Sequence, residues 1–157
     1  METFKKVFLN GNVRHSSLMK RKISDLFDTG IVSISADASL HDALEKLIEF
    51  DAQEALVQDS PDTIEGVLYK SSILKLLDTP GSDPFNFKVR SLVDRRMCLE
   101  PDTATFGEIV SRMALGLCRS TVVVDRLGRP VQILTPAKLL SLLGGTHYPV
   151  PAEKAYS

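Results

Sequence analysis

The chain has 157 residues, of which 43% are hydrophobic and 25% charged, a composition that fits a folded globular protein and excludes disordered and fibrous classes. Its formal net charge of −1 supplies no basic excess for nucleic acid or an anionic membrane, so we expect neither as a partner. No apolar run reaches the roughly 18 residues of a spanning helix, and the N-terminus lacks a signal-peptide core, so we expect a cytoplasmic protein.

The chain nearly repeats itself. Residues 22–77 align without a gap on residues 88–143, which lie 66 positions later, and ten of the 56 aligned pairs are identical. Other pairs keep their polarity, such as Asp42 with Glu108. A duplicated unit usually shares a fold and an interface. We therefore predict an N-terminal segment at 1–21, a first repeat at 22–77, a linker at 78–87, a second repeat at 88–143 and a flexible tail at 144–157.

Each repeat shows the same succession of predicted elements. One or two helical turns come first, at 22–27 and 88–93, and a brief strand follows, at 31–34 and 97–99. A longer helix then begins with a capping box, in which Ser39 or Thr105 is the cap and an acidic residue lies three positions later. Two paired strands and a closing helix complete the unit, at 55–58, 64–69 and 71–77 and again at 120–124, 130–134 and 136–143. This order of helices and strands predicts an α+β fold made of two copies of one unit.

The cysteines and histidines do not form a metal-binding or disulfide pattern. Cys98 and Cys118 lie at unrelated repeat positions in apolar surroundings, which favours buried, reduced thiols. The histidines His15, His41 and His147 have no acid or cysteine at ligand spacing, so we expect no metal site. Nucleophile elbows, Walker loops and paired carboxylates are also missing, and we expect no catalytic residues and no enzyme.

Three motifs recur in both repeats in the same order. They are SADASL and PDTATF before the long helix, LVQD and VVVD on the next strand, and GVLYKSSIL and QILTPAKLL at the close. This pattern resembles the cystathionine β-synthase (CBS) domain pair, or Bateman module. The resemblance implies two interlocked repeats with pseudo-twofold symmetry, two clefts between their sheets, and a homodimer. It also implies AMP, ADP, ATP or S-adenosylmethionine as a cleft ligand, no required cofactor, and regulation of an unidentified protein partner.

The family's ligand signature ends in a hydroxyl residue and, three positions later, an aspartate that accepts the ribose hydroxyl protons. In this chain the two positions are Tyr69 and Ser72 in the first repeat, and Thr135 and Lys138 in the second. A lysine cannot accept those protons. The loss of such a charged hydrogen bond costs about 1.5–3 kcal/mol, or roughly tenfold to a hundredfold in affinity.

Two basic residues, by contrast, favour ligand binding. Arg119 matches a position where the family often has a phosphate contact, so Arg119 and Lys138 predict an anion-seeking cleft in the second repeat, although both also suit solvated surface positions. Thr135 and Ser71 either contact a ligand or cap their closing helices. One hypothesis is a ligand-binding regulatory module that uses Tyr69, Ser71, Ser72, Arg119, Thr135 and Lys138. The other hypothesis is a ligand-free scaffold or dimerisation module.

Overall fold

The computed structural model describes residues 17–27 and 30–143, so the predicted tail, His15 and His147 lie outside the described residues. The first half contains β1 (Ser33–Ser35), α1 (Leu40–Glu49), β2 (Glu54–Ser60), β3 (Thr63–Tyr69) and α2 (Lys70–Leu77). The second half contains β4 (Met97–Pro101), α3 (Phe106–Ala114), β5 (Ser120–Val124), β6 (Pro130–Leu134) and α4 (Pro136–Leu143). Short 3-10 turns lie at Ile23–Asp25, Pro84–Asn86 and Val89–Ser91. The α+β class is confirmed, and none of the described helices is long and apolar enough to cross a membrane.

Each half forms a three-stranded mixed sheet with the same topology. In the first sheet β1 is parallel to β2, and β2 is antiparallel to β3. In the second, β4 is parallel to β5, and β5 is antiparallel to β6. A parallel pair needs a crossover connection, which α1 and α3 provide. The antiparallel pairs need only the short turns between their strands.

The long helices begin at the predicted capping residues. The Ser39 hydroxyl accepts a hydrogen bond from the backbone N–H of Asp42 at 3.0 Å, and the Thr105 hydroxyl accepts one from Glu108 at 3.2 Å. Each cap satisfies one of the N–H groups that a helix start leaves without an internal partner.

The two closing helices begin differently from each other. The Thr135 hydroxyl accepts from the backbone N–H of Lys138 at 3.3 Å, so Thr135 caps α4. Helix α2 begins after Tyr69, whose side chain makes no capping hydrogen bond. Ser71 lies inside α2, so of the two roles considered for it the capping role is wrong, because the helix starts one residue earlier than its apolar pattern suggested.

Each half has an apolar core that the other half completes. Val89, from the opening of the second repeat, is fully buried in the first core, and Ile23, from the opening of the first repeat, is fully buried in the second. The backbone N–H of Val89 donates to the carbonyl of Ala38 at 2.8 Å, and that of Ile23 donates to Ala104 at 2.9 Å. Because each core needs a segment of the other repeat, the two halves fold as one unit.

A cluster of salt bridges joins the opening segment of the second repeat to the first sheet. The Arg90 guanidinium lies 2.7 Å from Asp59, 2.8 Å from Glu65 and 3.4 Å from Asp37. These three carboxylates come from the loop after β1 and from the β2–β3 hairpin. Arg90 therefore holds the start of the second repeat against the strands of the first.

The two sheets face each other through a third apolar cluster. Side chains alternate along a strand, so Ala55 and Val57 of β2 enter the first core while Leu56 points to the opposite face. That face is closed by four buried residues from both sheets, namely Leu56, Val67, Val122 and Ile133. By the same alternation, Glu54 and Tyr69 lie on the face between the sheets.

Cys98 and Cys118 form a disulfide, and the prediction of two reduced thiols is wrong. Cys98 lies in β4, and Cys118 lies two residues before β5, the parallel neighbour of β4. This arrangement brings their Cα atoms to 5.6 Å, within the usual range for a disulfide. A spacing of 20 residues gave no sign of the contact, which depends on strand pairing.

Candidate functional site

A cluster of polar and charged side chains lies where the two sheets meet, beside the third apolar cluster. We name it the inter-sheet polar cluster, and it comprises Glu54, Tyr69, Asp94, Arg119, Ser120 and Lys138. The backbone explains its position. Glu54 and Tyr69 are direct cross-strand partners in the first sheet, and Ser120 opens the central strand of the second.

Tyr69 links the two repeats within this cluster. Its phenol forms a hydrogen bond with the Ser120 side chain. The Arg119 guanidinium lies 5.2 Å from the centre of the Tyr69 ring, within cation–π range. Burial raises the pKa of the Tyr69 phenol, and the Ser120 hydrogen bond and the Arg119 charge only partly offset this effect. Tyr69 therefore stays a neutral phenol at physiological pH.

Asp94 holds two arginines at the edge of the cluster. Its Oδ2 lies 2.9 Å from Arg119 Nη1 and 3.2 Å from Arg96 Nη2, and its Oδ1 accepts from the Arg96 backbone N–H at 2.9 Å. Burial alone would raise the pKa of Asp94, but the hydrogen bonds from Arg96 and the charges of both arginines outweigh it and lower that pKa. One carboxylate between two guanidinium groups leaves a local charge of +1.

Gly66 allows Asp94 to approach the first sheet. The backbone N–H groups of Val67 and Asp94 each donate to the other residue's carbonyl at 2.9 Å. A Cβ atom on Gly66 would collide with the Asp94 carbonyl oxygen and would lie 2.8 Å from Cγ2 of Val93. Glycine at this position therefore fixes where the Asp94 carboxylate lies.

Lys138 forms an ion pair with Glu54 across the two repeats. The Lys138 ammonium contacts Glu54 Oε1 and also donates to the Ile133 carbonyl at 2.9 Å. The two side chains are largely buried, with exposed fractions of 17% for Lys138 and 8% for Glu54. The carboxylate balances the lysine charge, so this part of the cluster is electrically neutral.

The structure joins four of the six predicted site residues in two separate pairs. Tyr69 contacts Arg119, while Thr135 contacts Lys138 through the helix cap. Arg119 therefore faces the signature residue of the first repeat, although it belongs to the second. Ser71 is exposed on α2, and Ser72 beside it is half-buried.

Sequence reasoning missed Glu54, Asp94 and Ser120. For Glu54 a signal existed, because it lies two positions before the buried Leu56 and so shares its face. For Asp94 the signal was weaker, since it is one of the ten identical repeat pairs, matched with Asp28. Their contacts with lysine and arginine could not be read from either position alone.

His41 has two acids at ligand spacing, so the expectation that none lay near it is wrong. His41 Nδ1 lies 3.8 Å from Asp42, His41 Nε2 lies 3.7 Å from Glu45, and all the ligand atoms fall within 4.8 Å of one another. The two nitrogens face different carboxylates, and the ring stacks on Phe85 with centroids 4.3 Å apart. These contacts hold the His41 ring against its neighbours on α1, and we do not assign a metal site to them.

Comparison with known proteins gives a family match and a shared fold. The CBS domain family model matches residues 23–79, and none of the curated proteins matches the chain. The CBS domain of a bacterial CNNM/CorC family Mg2+ transporter is 19% identical, with a TM-score of 0.72 over 95% of this chain and 88% of that one. The same domain in complex with ATP is 20% identical, with a TM-score of 0.69 over 92% and 96%.

A third structure, CBSX2 in complex with AMP, is 23% identical, with a TM-score of 0.59 over 77% of this chain and 94% of that one. These identities are low, so the structures establish the fold, which both halves of this chain share. The first repeat also matches the family by sequence. Residues 23–79 therefore match the CBS domain family, and the chain has the fold of a tandem CBS pair.

Proposed function

We propose that the chain is a regulatory CBS pair that binds an adenosine compound between its sheets and modulates a protein partner in response. The candidate ligands are AMP, ADP, ATP and S-adenosylmethionine. The observation that carries the proposal is the contact between Arg119 and Tyr69, which puts a cation from one repeat on the signature residue of the other. Similar folds in complex with ATP and with AMP support the same class of ligand.

The charge around Arg119 suits a phosphate group. Asp94 neutralises only one of its two arginines, and Arg119 keeps 55% of its side chain exposed. An exposed guanidinium still has N–H donors for the paired oxygens of a phosphate. The ion pair at Lys138 offers no such net charge. We therefore expect one ligand per chain, with its phosphate at Arg119 and its signature contacts at Tyr69, Ser71 and Ser72.

Calorimetric titration and thermal unfolding with each of the four compounds test this proposal. A ligand at about a hundred times its dissociation constant stabilises the native state by about 2.7 kcal/mol. For a chain of this size, each kcal/mol raises the melting temperature by about 2–4 °C. We expect one compound to produce this rise with a stoichiometry of one per chain.

Arg119→Ala should weaken that binding about tenfold or more, the loss expected for a charge-assisted hydrogen bond. Arg126→Ala is the matched control, because Arg126 is an exposed arginine in the β5–β6 turn, away from the cluster. Equal affinity in the Arg119 variant and the wild type would contradict the assigned phosphate position. No thermal rise with any of the compounds would contradict nucleotide binding altogether.

The second candidate is a ligand-free scaffold, and the Glu54–Lys138 pair favours it. Lys138 occupies the acid position of the second repeat's ligand signature, and its charge is balanced by Glu54. Neither side chain is therefore free to bind a ribose. A scaffold would show no thermal rise with any of the compounds and would keep its quaternary structure without ligand. The calorimetric titration therefore separates the two candidates directly.

Both candidates include a homodimer. Leu74 on α2 and Leu140 on α4 are equivalent residues in the two repeats, and they are 49% and 54% exposed. Large apolar side chains exposed at matching positions suit an interface between copies of the chain. Sedimentation equilibrium should give twice the chain mass, and a Leu74→Glu/Leu140→Glu variant should give the monomer. A monomeric wild type would contradict the homodimer.

A further inference from the structure

The disulfide lies directly beside the arginine that the proposed function depends on. Cys118 immediately precedes Arg119, and Cys98 follows Arg96 by two positions. Arg96 and Arg119 both bind Asp94, and the backbone N–H of Arg119 donates to the Arg96 carbonyl at 2.7 Å. The covalent link therefore joins the two chain segments that meet at the Asp94 carboxylate.

The first repeat shows that the fold does not need a covalent link here. The residues equivalent to Cys98 and Cys118 are Val32 and Ala52, and both are buried in the first apolar core. These two positions thus hold apolar core residues in the first repeat, whereas a disulfide links them in the second. The disulfide is a feature of the second repeat alone, the repeat that supplies Arg119.

The segment before Cys118 is held by few side-chain contacts, while the backbone N–H groups of Leu115 and Gly116 donate to carbonyls at the end of α3. Leu115 and Leu117 are exposed, and Gly116 between them has a left-handed φ of 71°. The disulfide is therefore a main constraint on the residues that lead into β5. Reduction would leave Arg119 placed by its backbone hydrogen bond to Arg96, its ion pair with Asp94 and its contact with the Tyr69 ring.

We propose that the Cys98–Cys118 disulfide is a redox-controlled tether that positions Arg119 and thereby sets the affinity of the inter-sheet polar cluster for a phosphate-bearing ligand. The inference rests on the proposed function for its ligand, but not for its structural effect. In the oxidised chain Arg119 is preorganised for the phosphate. In the reduced chain residues 115–119 move more freely, so ordering them opposes binding.

The reaction is thiol–disulfide exchange with a dithiol reductant. One reductant thiolate attacks Sγ of Cys98, the more accessible sulfur because Cys98 is half-buried on an edge strand whereas Cys118 is buried. The Sγ–Sγ bond breaks, Cys118 leaves as a thiolate and is protonated, and a mixed disulfide remains at Cys98. The second reductant thiol resolves that mixed disulfide. In sum, two electrons and two protons pass to the protein, and the dithiol becomes a disulfide.

The test compares the oxidised protein, the protein reduced with dithiothreitol, and a Cys98→Val/Cys118→Ala variant that copies the pair in the first repeat. Hydrogen exchange by mass spectrometry is measured for residues 94–98 and 115–120, with α1 and β2 as internal controls. AMP, ADP and ATP are titrated into each form. We expect faster exchange in both segments after reduction, unchanged exchange in the controls, and binding weaker by about fivefold or more, the lower end of typical coupling between sites.

The double variant should behave like the reduced protein and should not respond to dithiothreitol. Equal exchange in the oxidised and reduced proteins would overturn the tether, and equal affinity in a protein that binds nucleotide would overturn its effect on ligand. If no nucleotide binds either form, the proposed function fails while the exchange data still decide the tether. If the variant does not fold, the comparison of oxidised and reduced wild type decides alone.

Discussion

Breaking the buried ion pair between Lys138 and Glu54 should destabilise the protein more than any exposed charge change. Lys138→Met leaves the Glu54 carboxylate largely buried without its cation, and loss of one partner of a buried pair costs about 3–5 kcal/mol. Because both side chains keep some solvent contact, we expect the lower end, about 3 kcal/mol. Glu54→Gln keeps an acceptor for the ammonium and should cost about 2 kcal/mol. The double variant should lose less than the sum of the single losses, by about 1.5–2 kcal/mol.

Urea unfolding at neutral pH, followed by circular dichroism, measures these differences for the wild type, both single variants and the double variant. Lys75→Met is the matched control, since Lys75 is an exposed lysine on α2. It should change the unfolding free energy by no more than about 0.5 kcal/mol. Losses that add to within about 0.5 kcal/mol in the double variant would refute a direct interaction between Lys138 and Glu54.

Three further results are expected. Gly66→Ala should cost about 1–3 kcal/mol in urea unfolding, because its Cβ would push the Asp94 backbone away, and an unchanged midpoint would contradict the close approach. The lowered pKa of Asp94 means that its contribution is complete above the unfolded-state value of about 3.9 and is lost as pH falls through the lower folded-state value. In the Asp94→Asn variant, the free energy of unfolding should therefore fall less steeply as the pH is lowered into the acid range. Some slope should remain, because the pKa of Asp125 is also lowered. Arg119→Ala should raise the pKa of Tyr69 further in a phenolate absorbance titration, with Tyr69→Phe identifying the signal, whereas a fall would exclude their contact.

The sequence was sufficient for those features that depend on neighbouring residues or on the duplication. The capping residues Ser39 and Thr105 act within one helical turn, so their local pattern determined both helix starts. The alternation of apolar residues predicted the paired strands to within two residues at each end. The 66-residue repeat then predicted a second copy of each element, and the structure contains that copy.

Contacts between distant segments could not be predicted in this way. The disulfide needs β4 beside β5 in a particular register, and nothing in the local sequence of Cys98 or Cys118 records that pairing. The same holds for Lys138 and Glu54, which are 84 residues apart. The sequence position of Lys138 shows its charge but not the carboxylate that balances it.

The cluster differs between the repeats because it lies where they meet. A residue that packs within the core of its own repeat can keep the same chemistry in both copies, as Val57 does with Val123. At the meeting point, a second acid opposite Glu54 would put like charges in one buried site, which is unfavourable. The equivalent of Glu54 is Ser120, and the equivalent of Lys138 is Ser72, so each charge occurs once. This divergence makes one side of the cluster neutral and leaves the positive charge with Arg119. Under the proposed function, we therefore expect the duplicated fold to bind one anion rather than two.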